Sequence, residues 1–188
     1  MTDVRDASTT LNQAAPRKSS GYMRLARWVS RYHRTRVEGA APAEPCIYVT
    51  HHGAGYLSID LAVAIYELAF SDWNERGGAQ RSLAVAAIQG NPLERFVPGV
   101  ARLKRDLGLI DPSERSCLRA LEEGHQLLLT PGGSRESTPR ARRYRLRWND
   151  RYGFARLAVR TGVPVVPLAT VGGFAAYPGF TLGRLSFW

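Results

Sequence analysis

Cysteine, lysine and long apolar runs are what this chain of 188 residues has least of. The two cysteines, Cys46 and Cys117, fall in different segments and show no metal-ligand spacing. They imply neither a disulfide scaffold nor a zinc site, and read as free thiols in a reducing compartment. Lys18 and Lys104 are the only lysines, yet the formal charge is +10, so the excess is almost wholly arginine. Arginine suits bidentate phosphate contacts. A surface of this kind attracts nucleic acid, anionic lipid or a phosphorylated small molecule, although a solvated basic face explains any single arginine equally well. No run nears the roughly 20 apolar residues that span a bilayer. The longest, Leu61 to Phe70, contains Glu67 and fits a buried helix. The opening stretch, Met1 to Ser20, is polar and lacks the apolar segment of a signal peptide.

What remains is a globular composition, 44% hydrophobic, in a length suited to one domain with a real core. Residues 1–20 read as a flexible tail. Residues 21–39 read as a basic amphipathic helix, with Tyr22, Leu25, Ala26, Val29 and Tyr32 on one face and Arg24, Arg27, Arg31 and Arg34 opposite. Ser19 or Ser20 caps it and Gly39 stops it. Such a helix lies on an anionic membrane surface or packs its apolar face onto the domain, and the two are compatible. Residues 40–188 form the domain. Strands are expected at Cys46–Thr50, Leu83–Ala87, Gln126–Thr130 and Val163–Val171, the last broken by Pro164 and Pro167. Helices are expected over Asp60–Phe70, from Asp111 as N-cap with Pro112 first to Gly124, and over Phe154–Thr161 up to Gly162. Strands alternating with helices give an α/β single domain, with a largely parallel central sheet flanked by helices and the basic helix in front.

Two loops after strands hold the residues with chemistry, and in open α/β sheets functional groups collect at the strands' carboxyl ends. The first runs from His51 and His52 through Gly53-Ala54-Gly55 to Asp60. A histidine at a strand end, with a carboxylate at the mouth of the next helix, makes a general base with an orienting partner. A purely structural His–Asp hydrogen bond gives the same pattern, and either histidine fits. The second loop is Thr130-Pro131-Gly132-Gly133-Ser134-Arg135-Glu136. Its glycines let the backbone approach a ligand and aim N–H groups at an anion, and Arg135 adds a phosphate contact. A plain turn also uses Pro-Gly-Gly.

In this order, the two loops resemble the lysophospholipid and glycerol-phosphate acyltransferase superfamily, and the diacylglycerol acyltransferase-like branch in particular. His52 with Asp60 stands for that family's first block. Thr130 to Glu136 is in register with the third, Phe-Pro-Glu-Gly-Thr-Arg-Ser, with Gly132 in place of the glutamate. Val163 to Leu168, with its paired prolines, matches the fourth, and Tyr152 to Ala158 is similar to the helix before it. Phe96-Val97-Pro98-Gly99 to Gly108 is similar to the second. The likeness covers about Pro45 to Gly173. His52 and Asp60 are farther apart than the usual four-residue gap, which bears on the carboxylate's role, and His51 competes for the base.

The resemblance implies an acyl-CoA-dependent O-acyltransferase acting on a lipid alcohol through a ternary complex. His52 would be the base and Asp60 its partner. Gly53, Gly132, Gly133, Ser134, Arg135 and Glu136 would contact acyl-CoA or acceptor, with backbone donors near Gly53 or Gly132-Gly133 facing the oxyanion. Part of the Arg140–Arg147 cluster would hold donor phosphates. No cofactor is implied beyond acyl-CoA as co-substrate, and no metal. The expected partners are acyl-CoA, a lipid acceptor and a peripheral membrane surface, in the cytoplasm, with no nucleic acid. Two alternatives stand beside this. An α/β-hydrolase-type esterase would use Ser134, but Gly132-Gly133-Ser134-Arg135-Glu136 lacks the final glycine of a nucleophile elbow. A nucleic-acid-binding module would use Arg140 to Arg147 with Tyr144 and Trp148, without a recognised binding motif.

Overall fold

Strands buried on both faces read as unbroken apolar runs, and three of the runs in this chain become adjacent strands. The computed structural model describes residues 15–39, 42–52, 59–71, 82–86, 104–136, 146–172, 180–182 and 185–187. In chain order the elements are α1 (Gly21–Tyr32), β1 (Ile47–Thr50), α2 (Ile59–Phe70), β2 (Leu83–Ala86), β3 (Leu109–Ile110), α3 (Glu114–Glu122), β4 (Gln126–Leu129), α4 (Gly153–Thr161), β5 (Val165–Leu168), β6 (Phe180–Leu182) and β7 (Leu185–Phe187). The first five strands form one sheet in the order β3-β2-β4-β1-β5, and every pairing is parallel. Strands β6 and β7 make a separate antiparallel pair. The expected α/β architecture with a parallel central sheet is the one observed.

The two-residue alternation of strand side chains divides the core in two. Tyr48, Leu83, Val85 and Leu128 face α1 and α2, where they meet Met23, Ala26, Ala62, Ile65 and Leu68. Ile47, Val49, Ala84, Ala86 and Leu127 face α3 and α4, where they meet Cys117, Ala120, Leu121 and Leu157. Burial pushes the thiols of Cys46 and Cys117 up to about 11, so both are inert packing groups at neutral pH. Strand β5 lies at one edge, its side chains alternately exposed and half-buried.

Several local readings need correction. The first helix ends at Tyr32 instead of running toward Gly39, because Arg34 takes a left-handed φ of +51° and Thr35 N–H closes back on Ser30 O at 2.9 Å. Its cap is Ser20, whose Oγ accepts from Met23 N–H at 3.2 Å. The face it buries is Met23, Ala26 and Ser30, while Leu25 and Tyr32, from the apolar face noted in the sequence, are exposed. The buried Ser30 hydroxyl donates to the Glu67 carboxylate of α2, so two polar side chains in the packed interface satisfy each other. Residues just before the helix are held as well: Arg17 N–H bonds Asp106 O at 2.7 Å and Pro16 bridges Leu107. The third helix is capped by Ser113, not Asp111. Ser113 has the extended backbone a cap requires, and its Oγ accepts from Ser116 N–H. Strands β3, β6 and β7 were not anticipated. Gly124 and Gly162 end their helices with φ of +83° and +70°, conformations that favour glycine.

Candidate functional site

Strands β1 and β4 are neighbours in the middle of the sheet, with Val49 opposite Leu129. Their carboxyl ends therefore open side by side, and the two loops singled out in the sequence leave from adjacent points. The chain from β1 passes directly into His51 and His52, both partly buried. Asp60, in the first turn of α2, is 7% exposed. The imidazole Nε2 of His51 stands 3.9 Å from Asp60 Oδ2, a charge contact longer than a hydrogen bond. Thus the structure brings Asp60 to the histidine pair, with His51 at that distance. The backbone N–H of His52 donates to Glu136 Oε2 at 2.9 Å.

The helix in front of the domain also reaches this corner. Tyr22 packs against the core beside α2, and burial, reinforced by the negative charge of Asp60, pushes its hydroxyl up to about 12. It stays protonated at neutral pH. Sequence reading missed this neighbour because it counted Tyr22 only as an apolar position.

The second loop turns sharply after β4. Gly133 N–H closes onto Thr130 O at 3.0 Å, and Gly133–Arg135 form one 3₁₀ turn. The two glycines serve different needs. Gly133 has a φ of +52°, a left-handed conformation. Gly132 has an ordinary φ of −67°, but a Cβ there would fall inside the carboxyl group of Glu136. Because Gly133 N–H is committed to Thr130, that amide is not aimed at an anion. Arg151 grips the loop from outside, donating from Nη1 to Pro131 O at 2.9 Å and Gly132 O at 3.2 Å. This arginine lies past the cluster that sequence reading had marked, and only the fold brings it back to the turn. Arg135 is exposed. Ser134 lies on the 3₁₀ turn. Gly53, Arg140 to Arg145 and Phe96 to Gly99 lie outside the described residues. Among the described residues there is no group of three or more His, Cys, Asp or Glu side chains able to hold a metal ion. None of their helices is long and apolar enough to cross a membrane.

No protein-family profile matches the chain. No solved structure matches it either. Known proteins do. The chain is 34% identical over 74 residues to a Gallus gallus protein described as a DGAT1/2-independent enzyme synthesizing storage lipids, covering 39% of this chain and 22% of that protein. A Homo sapiens protein of the same description is 32% identical over 91 residues, covering 47% of this chain and 28% of that protein. Phytyl ester synthase 2, chloroplastic, of Arabidopsis thaliana is 30% identical over 138 residues, covering 72% of this chain and 19% of that protein. The chain spans less than a third of the length of these relatives. All three are named as enzymes that synthesize lipids or esters, and it is to enzymes of that kind that this chain is similar.

Proposed function

We propose that this protein is an acyltransferase that moves a fatty-acyl group from acyl-CoA to a lipid alcohol. The observation that carries the reading is the junction of β1 and β4. A histidine pair with a buried carboxylate beside it opens next to a glycine turn, at the carboxyl edge of a parallel sheet. The base takes the proton of the acceptor hydroxyl, and the freed oxygen attacks the thioester carbonyl. The tetrahedral oxyanion collapses, and coenzyme A leaves as its thiol. Of the two histidines, His52 is the proposed base, from its place in the motif and the anchoring of its backbone. His51 is the competitor, from its approach to Asp60. The buried, protonated thiols of Cys46 and Cys117 offer no nucleophile for an acyl-enzyme, which favours the ternary route.

The acceptor we propose is a neutral lipid alcohol. Gly132 leaves no carboxylate at the position where the resembling family carries a glutamate, and one relative is named for a phytyl ester. Arg135 and Arg147 are proposed contacts for the donor's phosphates.

A peripheral membrane surface is the proposed source of the acceptor. Leu25, Trp28 and Tyr32 form an apolar stripe on the outside of α1, 46%, 61% and 69% exposed, with Trp28 stacked on Tyr32 at 5.4 Å between centroids. Exposed Arg24, Arg27, Arg31 and Arg34 accompany it, the arrangement that suits an anionic interface.

The test is incubation of the full chain with labelled acyl-CoA and a panel of lipid alcohols, with products resolved by mass. An ester formed only in the presence of the protein and one class of alcohol is expected. Release of free fatty acid, with no ester from any alcohol, would sink the reading in favour of a hydrolase.

A further inference from the structure

Glu136 is one of the few charged side chains in the interior, 4% exposed. Its carboxylate accepts from His52 N–H on Oε2 and from Arg147 N–H on Oε1, both at 2.9 Å. These donors are main-chain amides from distant parts of the chain. One lies just past β1, and the other precedes α4. Glu136 itself ends the 3₁₀ turn, its own N–H bonded to Gly133 O at 3.0 Å. Three separate backbone segments thus meet on one carboxyl group.

The side chain gets there across Gly132. A Cβ added at residue 132 would lie well inside 3.0 Å of Cγ, Cδ and Oε2 of Glu136, closer than real Cβ atoms come to their neighbours. A free glutamate could swing aside, but this one is held at both oxygens, so any retreat breaks a hydrogen bond to a part-buried amide. Gly132 has no backbone need to be glycine, since its φ is ordinary. Its missing side chain and the carboxylate four residues on are therefore one device.

We propose that Glu136, with Gly132 clearing its path, is a positioning residue that fixes the backbone of the histidine pair against the glycine turn. This role replaces the substrate contact expected of Glu136 from the sequence. It rests on the acyltransferase reading only in the value it gives to His52's position. A reacting group displaced by even about 1 Å costs on the order of a hundredfold in rate.

The experiment is a double-variant cycle on the full chain with Gly132→Ala, Glu136→Ala and the two combined, read by thermal unfolding. Each single change is expected to lower Tm by several degrees. The pair should lose little more than Glu136→Ala alone, because the added methyl then has room. Losses that simply add would overturn the proposal. Glu136→Gln, the milder variant, turns an amide NH₂ toward one of the two backbone donors. Hydrogen exchange should quicken at the amide of His52 or Arg147 while β2 and α3 keep their protection, and unchanged exchange at both would also overturn it. In the transfer assay, Glu136→Gln should lower kcat roughly tenfold or more and leave KM for acyl-CoA within about twofold. A drop confined to KM would return Glu136 to substrate binding. If the unaltered protein forms no ester with any alcohol, the functional reading fails, and the Tm cycle and exchange still judge the clamp alone.

Discussion

The two loops leave β1 and β4 from adjacent points, yet their described residues offer different materials. The first carries ionisable side chains, His51 and His52 where it leaves β1 and Asp60 where it enters α2. The second carries backbone, with Gly132 and Gly133 bent into a tight turn, its carbonyls held by Arg151 and its end tied down through Glu136. The contrast separates two tasks that a single loop does poorly together. Proton transfer needs a titratable group whose surroundings can tune it. Close approach to a ligand needs an absence of side chains. Changes at the histidines and Asp60 are therefore expected to act on turnover directly, and changes in the second loop through shape.

The sharpest test of this division is the histidine pair. His52→Ala is expected to lower kcat by about 10²–10⁴-fold, the usual loss for a missing general base, and His51→Ala much less. Reversed effects would give the base to His51, in keeping with its 3.9 Å approach to Asp60.

A control remote from both loops comes next. Charge reversal at Arg24, Arg27 and Arg31 should weaken retention on anionic vesicles by about a hundredfold or more at low salt, since each basic residue near such a surface is worth about 1 kcal/mol and each acidic one is repelled. Its kcat on dispersed substrate should hold. Binding that survives the reversal would make α1 a packing element alone. Met23→Ala tests that packing role directly and should cost about 2–5 kcal/mol in a urea titration, as buried Met-to-Ala changes do.

Asp60→Asn ranks lower. Loss of an opposite charge about 4 Å from the imidazolium formed in turnover, worth about 1 kcal/mol or more, corresponds to roughly fivefold or more in turnover. Acyl-CoA binding, measured by titration, should not move. If turnover does not change either, the wide spacing between His52 and Asp60 uncouples them.

Ser134→Ala is the smallest expected effect. On the glycine turn it contributes at most a hydrogen bond of about 0.5–1.5 kcal/mol, or about tenfold or less. Intact-mass measurement during turnover should show no acyl adduct. An adduct on Ser134 would move side-chain chemistry into the second loop and erase the contrast.

The sheet was legible because its strands are buried on both faces, so Ile47–Thr50, Leu83–Ala86 and Gln126–Leu129 stand out as apolar runs. Two-residue β3 is too short to carry a pattern. Which residues of α1 turn inward was not legible for a different reason. Ser30 looks like a surface residue, but the partner that lets it be buried, Glu67, lies on another helix. At the site, the histidines and glycines announced themselves by type and place. The clamp did not, because its partners are backbone amides, which every residue has. The one visible signal was an acidic residue four positions after a glycine whose φ needs no glycine, and that φ appears only in the fold.

The inner seam of α1 has one more consequence. With Met23 and Ala26 sunk in the core, Ser30 bonded to Glu67 and Tyr22 beside Asp60, the helix is fastened to the domain along its inner face. Any surface that receives Trp28 and Tyr32 receives the rest of the domain at a set height and tilt, like a hull on its keel. The mouth of α2 would then keep one distance from that surface.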